Sequence, residues 1–409
     1  MTLVMTMKLA TVCLTFLPII LSGCNSTDST EGKANINSSA LSMETLSLGI
    51  TVVPPELTSQ FSSKLNFNRY TKVTAPNGKA IHIVVQNKLT DNQVIRARSV
   101  LEHYLTDYPG SKYGSDKSAV ANKMADNNAT LLLLNGSDDG TNPAAELNGQ
   151  PLYQDEIQVE GGNWYVNQNF EHRDATFEEI LHMVHDTGIG VDQTPRFIGV
   201  LPNYQADIRS AQVSALTNKR WAFSSSESSW VTELTAENSL SQEYLASVID
   251  SYYGLWGSWK GSSEYGMWGL YVAKTRNEIS AEDPLGAALM GDFFQPTLTY
   301  NARIDNSFKG DFSLKLDVDK PYSHHSQYLK DVTLTGSSAS NVIVNQLDNF
   351  ITGNQAENRV IFTGNSSEYR INVKANGITE IVDLVDSRDG RNTVKHIEKL
   401  VFSDTTISL

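Results

Sequence analysis

Residues 174–188 read Asp-Ala-Thr-Phe-Glu-Glu-Ile-Leu-His-Met-Val-His-Asp-Thr-Gly, and this stretch decides the fold prediction for the 409-residue chain. At roughly 100° per residue, the apolar side chains cluster on one side of a helix: Phe177, Ile180, Leu181, Met183 and Val184. The polar side chains share the other side within about a third of a turn: Glu178, Glu179, His182, His185 and Asp186. The stretch therefore predicts an amphipathic helix that ends near Gly188.

Every residue of this polar stripe can ionise or bind a metal. Glu178, His182 and His185 follow one another at i, i+4 and i+7, so they stack along one line of the helix. A solvated face usually mixes Lys, Gln and Ser, which are missing here, and this favours a metal or catalytic role. The structural alternative is a capping box of Thr176 and Glu179, with the histidines favoured by the helix dipole.

The stretch resembles the active-site helix of zincin-type metallopeptidases, and more specifically of the gluzincins, whose pattern is His-Glu-x-x-His. Laid on that pattern, Glu178 takes the place of the first histidine, Glu179 that of the general base and His182 that of the second histidine. The later glutamate ligand of the family matches Glu243, within Asn-Ser-Leu-Ser-Gln-Glu-Tyr-Leu-Ala at 238–246. The resemblance implies a zincin-like α+β domain over residues 46–294 and a zinc-dependent hydrolase, a peptidase that uses metal-activated water on a peptide or protein substrate.

The first histidine of the family pattern is absent, and three explanations stay open. Glu178 could bind the metal in its place, His185 could replace it from the next turn, or the site could have lost its metal. We prefer a set of His182, His185 and Glu243, because it preserves the ligand chemistry of the family, with Glu179 activating the water. Downstream, Tyr252 is a candidate transition-state donor.

Strand and helix signals alternate on either side of this stretch. Residues 80–85 and 129–134 are apolar runs that predict buried strands, and Thr90 with Gln93 predicts the capped start of a helix between them. Residues 156–160 and 164–166 predict a strand pair. Ser239 and Gln242 predict a second capping box, at the start of the helix that carries Glu243. These elements support an α+β domain.

Residues 295–409 predict an all-β module. Residues 297–300 and 312–318 alternate apolar and polar side chains, as half-buried antiparallel strands do. Asn341, Asn349 and Asn358 begin similar segments at intervals of 8 and 9 residues. The segments resemble degenerate hemolysin-type (RTX) calcium-binding repeats, which implies a short β-roll or solenoid, and the tail resembles the β cap that closes such modules.

Calcium is a doubtful cofactor for this β module. The RTX family binds calcium through Asp, and the matching positions here are Asn341, Asn349 and Asn358. Neutral amides bind a hard cation more weakly than carboxylates do. A ladder of Asn side chains within the solenoid explains the same repeat without any metal.

The N-terminus predicts export. Lys8 precedes the apolar run 9–21, which suits a signal peptide over residues 1–23. The following Leu-Ser-Gly-Cys at 21–24 resembles a bacterial lipobox, which implies lipidation of Cys24 and anchoring in the cell envelope. Asn25 after the cysteine favours the outer membrane. Residues 24–45 are rich in Ser, Thr and Asn and predict a flexible tether.

Composition disfavours a role in nucleic-acid binding, and the stretch 174–188 with its family resemblance leaves two classes of function. Lys and Arg number 32 against 46 Asp and Glu, and the net charge of −14 repels the phosphates of nucleic acids. The first class is a lipid-anchored, zinc-dependent hydrolase. The alternative is a non-catalytic envelope lipoprotein, which binds a partner or a glycan on a zincin-like scaffold with a β module. Bound metal would distinguish them.

Overall fold

A computed structural model describes residues 41–170, 173–192, 198–262, 264–374 and 376–409. The predicted signal peptide, the lipidation site Cys24 and most of the predicted tether lie outside the described residues. Within the described ranges, no helix has both the length and the apolar composition that a bilayer-crossing helix needs.

The chain forms an α+β region followed by a strand-rich C-terminal part. The helices are α1 Met43–Ser47, α2 Asp91–Leu105, α3 Ser118–Asp126, α4 Asn163–Asn167, α5 Thr176–Val184, α6 Pro202–Thr217, α7 Ser228–Glu237, α8 Leu240–Tyr252, α9 Arg276–Glu282, α10 Pro284–Phe293 and α11 Ser323–Ser326. The strands of the first region are β1 Phe67–Thr74, β2 Ala80–Gln86, β3 Thr130–Leu134 and β4 Gln150–Tyr153. Those of the second are β5 Leu298–Ile304, β6 Gly310–Ser313, β7 Leu329–Leu334, β8 Ser340–Ile343, β9 Asn349–Thr352, β10 Arg359–Ile361, β11 Tyr369–Val373, β12 Ile378–Asp383, β13 Arg391–Lys395, β14 Lys399–Val401 and β15 Thr406–Ser408.

The first region is built on a four-stranded sheet in the order β1-β2-β3-β4. β1 runs antiparallel to β2, whereas β2, β3 and β4 are parallel. All five residues of β3 are buried, as expected for a central strand covered on both faces. Helix α5 contacts β4 at one edge of the sheet and packs between α2 and α8.

Three local expectations about this region are wrong. Residues 156–160 and 164–166 do not pair as strands, because Gly161 turns the chain at φ 75° and α4 then begins at Asn163. Neither capping box at α5 or α8 forms: Ala175 and Ser239 precede these helices without a side-chain cap bond. At α5 the carboxylate of Glu179 is instead bound by Gln150 of β4.

In the second region the chain winds from β5 to β10, so that successive strands alternate between two sheets. One sheet holds β5, β7, β9 and β13 in parallel, and the other holds β6, β8, β10 and β14 in parallel. The expectation that residues 297–300 and 312–318 form antiparallel strands is therefore wrong: β5 and β6 pair in parallel with β7 and β8, and β6 ends at Ser313. β11, β12 and β15 add antiparallel strands, and α11 adds a short helix to the part predicted as all-β.

Side-chain amides connect successive turns of this winding chain. Asn345, Asn349 and Asn358 are buried, and their Nδ2 atoms donate to the carbonyls of Leu329 (3.0 Å), Lys330 (2.8 Å) and Ser340 (2.9 Å). Asn358 and Ser340 are 18 residues apart, which is one full turn. Asn349 and Asn358 of the predicted repeat therefore satisfy backbone carbonyls of the preceding turn, whereas the third member, Asn341, donates to the side chain of Asp311 at 2.7 Å.

Arg96 of α2 connects the two regions through buried charges. Its guanidinium pairs with Glu160 and with Asp174 (2.9 Å), and it donates to the hydroxyls of Tyr165 (3.1 Å) and Tyr300. Tyr300 lies on β5 and also donates to Glu160 at 2.7 Å. One fully enclosed cation therefore pairs with two buried carboxylates and fixes the first strand of the second region to the helices of the first.

Replacing this cation should strongly destabilise the protein. Arg96→Met fills a similar volume but leaves Glu160 and Asp174 buried without a counter-charge, so we expect the free energy of unfolding to fall by about 3–5 kcal/mol. Urea unfolding followed by circular dichroism measures the loss. Arg370→Met, at an exposed arginine of β11, is the matched control and should change stability by less than about 0.5 kcal/mol. A loss below about 1 kcal/mol in Arg96→Met would contradict the role assigned to the network.

Candidate metal centre

Glu178, His182 and Glu243 come together at the contact between α5 and α8. Each offers one ligand atom, and these atoms lie within 4.8 Å of one another. Glu178 and His182 are one helical turn apart on α5, and Glu243 faces them from the first turn of α8. The exposed fractions of the three side chains are 2 %, 12 % and 6 %. The group is therefore almost wholly enclosed.

The imidazole of His182 has an unused nitrogen in the middle of this group. Nε2 is buried and has no hydrogen-bond partner among the described residues, and its neighbour Glu243 Oε1 is 3.7 Å away. Ligands about 2.1 Å from a tetrahedral zinc ion lie about 3.4 Å from one another. The separation is therefore too long for a hydrogen bond and close to that of two ligands of one ion.

Glu179 lies at the more exposed edge of the group. Its Oε2 accepts a hydrogen bond from Gln150 Nε2 at 2.7 Å and lies 3.7 Å from His182 Nδ1. The carboxylate is 17 % exposed, more than any member of the triad. A carboxylate beside Nδ1 favours a proton on that nitrogen, so Nε2 is the ring nitrogen that faces Glu178 and Glu243.

The cluster carries more acid than base. Burial alone would lower the pKa of His182, but Glu243, Glu179 and Glu178 raise it to about 9. Burial raises the pKa of Glu243 to about 8, with Glu178 and Glu179 adding to the effect and His182 and Arg173 opposing it. The raised pKa values of His182 and Glu243 both indicate that these enclosed carboxylates favour an added positive charge. A proton or a metal cation can supply that charge.

Arg173 and Asp250 complete the surroundings, and the sequence assigned neither of them a role. Arg173 pairs with Glu178 Oε2 and lies 5.8 Å from the ring centre of Trp268. Asp250, two turns along α8 from Glu243, is fully buried, and its Oδ1 has no hydrogen-bond partner among the described residues. Burial raises the pKa of Asp250 well above its usual range. The spacing of two helical turns between Glu243 and Asp250 could have indicated Asp250 from the sequence, because it places both on one face of α8. No such pattern indicates Arg173, which precedes α5, or Gln150, which is distant in the sequence.

Two other predicted site residues lie elsewhere. His185 is buried in the π-helical turn His185–Ile189, and its Nε2 faces Oε1 of Gln205 on α6. Burial lowers the pKa of His185 to about 4. Tyr252 lies under the guanidinium of Arg276, 3.8 Å from ring centre to Cζ, and about 13 Å along α8 from Glu243. The structure thus places Glu178, rather than His185, beside His182 and Glu243. Tyr252 lies outside this group.

Comparison of the chain with protein-family models, with curated proteins and with solved structures finds no match.

Proposed function

We propose that this chain is a zinc-dependent hydrolase, a peptidase that cleaves peptide or protein substrates with metal-activated water. The observation that carries the proposal is the buried Glu178–His182–Glu243 triad, with Glu179 at its exposed edge. The imidazole nitrogen that faces its centre has no hydrogen-bond partner in the part of the chain that the structure describes. The α+β region would then be a zincin-like domain in which Glu178 stands where the family has its first histidine.

The donor set suits a zinc ion. Two carboxylates and one neutral imidazole are ligands that zinc accepts, and three protein ligands leave a fourth position for water or substrate. Manganese accepts the same donors, so the metal-binding experiment includes it. When bound, such an ion polarises a carbonyl group and lowers the pKa of a bound water molecule.

Glu179 would act as the general base and take a proton from the attacking water molecule. It lies on the same helix turn as Glu178, at the side of the cluster that solvent reaches, and Gln150 holds one of its oxygens. A general base has to be within hydrogen-bond reach of its proton and held in a fixed orientation. His182 and Glu243 would hold the ion together with Glu178, which Arg173 restrains through their ion pair.

The rest of the chain supports an envelope setting for this proposal. The lipobox-like residues 21–24 favour anchoring through Cys24 in the bacterial outer membrane. The winding strands of residues 298–401 favour a β-roll, in which buried Asn amides take the place of calcium. The net charge of −14 disfavours nucleic acid as a partner.

One observation favours the alternative, a non-catalytic envelope lipoprotein. Arg173 already pairs with Glu178, which supplies a positive charge where a metal would supply one. A cluster neutralised in this way can act as a structural ion-pair network that joins α5 to α8. The two functions make opposite predictions about bound metal.

Metal content distinguishes these two functions. After dialysis against a weak chelator and addition of zinc or manganese, we expect about one ion per chain by elemental mass spectrometry, with zinc preferred. His182→Ala and Glu243→Gln should each reduce the content to background, because each removes a donor of the triad. His324→Ala, at a histidine of α11 outside the triad, should keep the full content. A folded wild-type protein that binds neither ion would contradict the proposal and favour the binding lipoprotein.

Glu179→Gln should separate metal binding from catalysis. The amide keeps the size and the contact with Gln150 but cannot accept the proton, so we expect unchanged metal content and a 10²- to 10⁴-fold loss of peptide hydrolysis, roughly the effect of losing a general base. A fluorogenic peptide library measures the rate. Glu237→Gln, at an exposed position of α7, is the matched control. Equal rates for Glu179→Gln and the wild type would rule out Glu179 as the base.

A further inference from the structure

A polar groove of about 550 Å³ lies apart from the residues of the metal centre. Its volume falls within the roughly 300–1,000 Å³ of small-molecule sites. The lining comes from the start of α2, from the segment after β4, from α4 with the residues that follow it, and from Asp305 after β5. A second cavity of about 320 Å³ shares residues 167–169 with it and continues to Trp259.

Side-chain amides dominate the first cavity. Seven of its lining residues are Asn or Gln: Gln93, Gln154, Gln158, Asn163, Asn167, Gln168 and Asn169. An amide can offer two N–H donors and one carbonyl acceptor, and part of this capacity is used within the protein: Gln93 Nε2 donates to the carbonyls of Gln154 and Ile157, and Asn167 Nδ2 donates to Asn163 Oδ1. A sugar hydroxyl is likewise both donor and acceptor, so rows of amides match a polyhydroxylated ligand without a charge on either side.

Gln168 gives the strongest sign that the groove binds a ligand. It is only 8 % exposed, it lines both cavities, and it adopts left-handed backbone geometry (φ 34°) at the end of α4. Its Oε1 accepts from the hydroxyl of Ser258, whereas its buried Nε2 has no hydrogen-bond partner among the described residues. A buried N–H group without an acceptor is costly, and a ligand oxygen in the groove would satisfy it.

Aromatic rings provide flat surfaces along the same path. Trp164 lines the first cavity and Trp259 the second, and both are half-buried. Trp164 packs edge-on against Phe170 at 5.8 Å, and Phe170 stacks on Trp256 at 5.3 Å. Rings held in this way can pack against the C–H face of a pyranose without losing further side-chain entropy.

The charges and the apolar lining narrow the ligand class. Asp155 and Asp305 line the first cavity, and the whole chain carries a net charge of −14, so acidic sugars and phosphates are disfavoured. The aliphatic side chains of the lining, Ile157 and Val159, are buried, and so they offer little apolar surface to the side chains of a peptide. We propose that this groove binds a neutral oligosaccharide, with Gln168 as a central donor and Trp164 as a stacking surface.

Calorimetry on the full chain tests this inference independently of the metal centre, because it is done with the metal chelated. The probes are chitotetraose, cellotetraose, maltotetraose and xylotetraose, with tetragalacturonate as an acidic counterpart. We expect at least one neutral tetrasaccharide to bind with a Kd below about 1 mM and tetragalacturonate to bind at least about tenfold more weakly. No binding of any neutral probe up to about 10 mM, or a preference for tetragalacturonate, would overturn the proposal.

Substitutions then locate the binding site. Gln168→Leu removes the buried donor and should weaken binding of the best neutral probe about tenfold. This change also removes the hydrogen bond from Ser258, so a second variant is needed. The double variant Asn163→Ala/Asn167→Ala changes two exposed amides of α4 and should weaken binding of the same probe about fivefold. Gln60→Leu, an exposed glutamine outside the groove, should bind like the wild type. Unchanged affinity in both groove variants would overturn the assignment.

Discussion

The buried ion network around Arg96 is the constraint on which the rest of the structure depends. Asp174 accepts a hydrogen bond from Arg96 through Oδ2, and its Oδ1 accepts from the backbone N–H of Thr176, the first residue of α5. The same guanidinium therefore positions the start of the helix that carries Glu178 and His182. Through Tyr300 it also sets where the strand-rich part begins. Arg96 thus links the geometry of the triad to the joint between the two regions, although it touches no residue of the triad.

The triad illustrates how a buried group of acids is balanced. Glu178, Glu179 and Glu243 surround one imidazole, and Arg173 neutralises only one of these carboxylates through a direct ion pair. Carboxylates that are buried without enough counter-charge take up a proton or bind a cation. An ion bound by the triad would therefore share the Glu178 carboxylate with the guanidinium of Arg173.

Sequence periodicity predicted the elements that carry the triad better than it predicted their partners. The helix spacing placed Glu178 and His182 on one line, and Glu243 lies on α8 as expected. A helix pattern does not say which neighbour each side meets: α8 faces Glu178 and His182, whereas Gln205 of α6 faces His185.

Apolar alternation likewise predicted strands near residues 298 and 312 but not their direction, because antiparallel and parallel strands can share that pattern. Arg173 and Gln150 act through contacts that no local pattern encodes.

The amide contacts between turns give the strand-rich part a direction of assembly. Asn345, Asn349 and Asn358 each donate to a carbonyl that lies earlier in the chain, so each turn completes its polar contacts only when the turn before it is in place. The first strand is held by Tyr300 against the helical region. Winding can therefore proceed from that seed toward the C-terminus, in the order in which the ribosome delivers the chain. A vectorial growth of this kind needs no long-range search between the strands of successive turns.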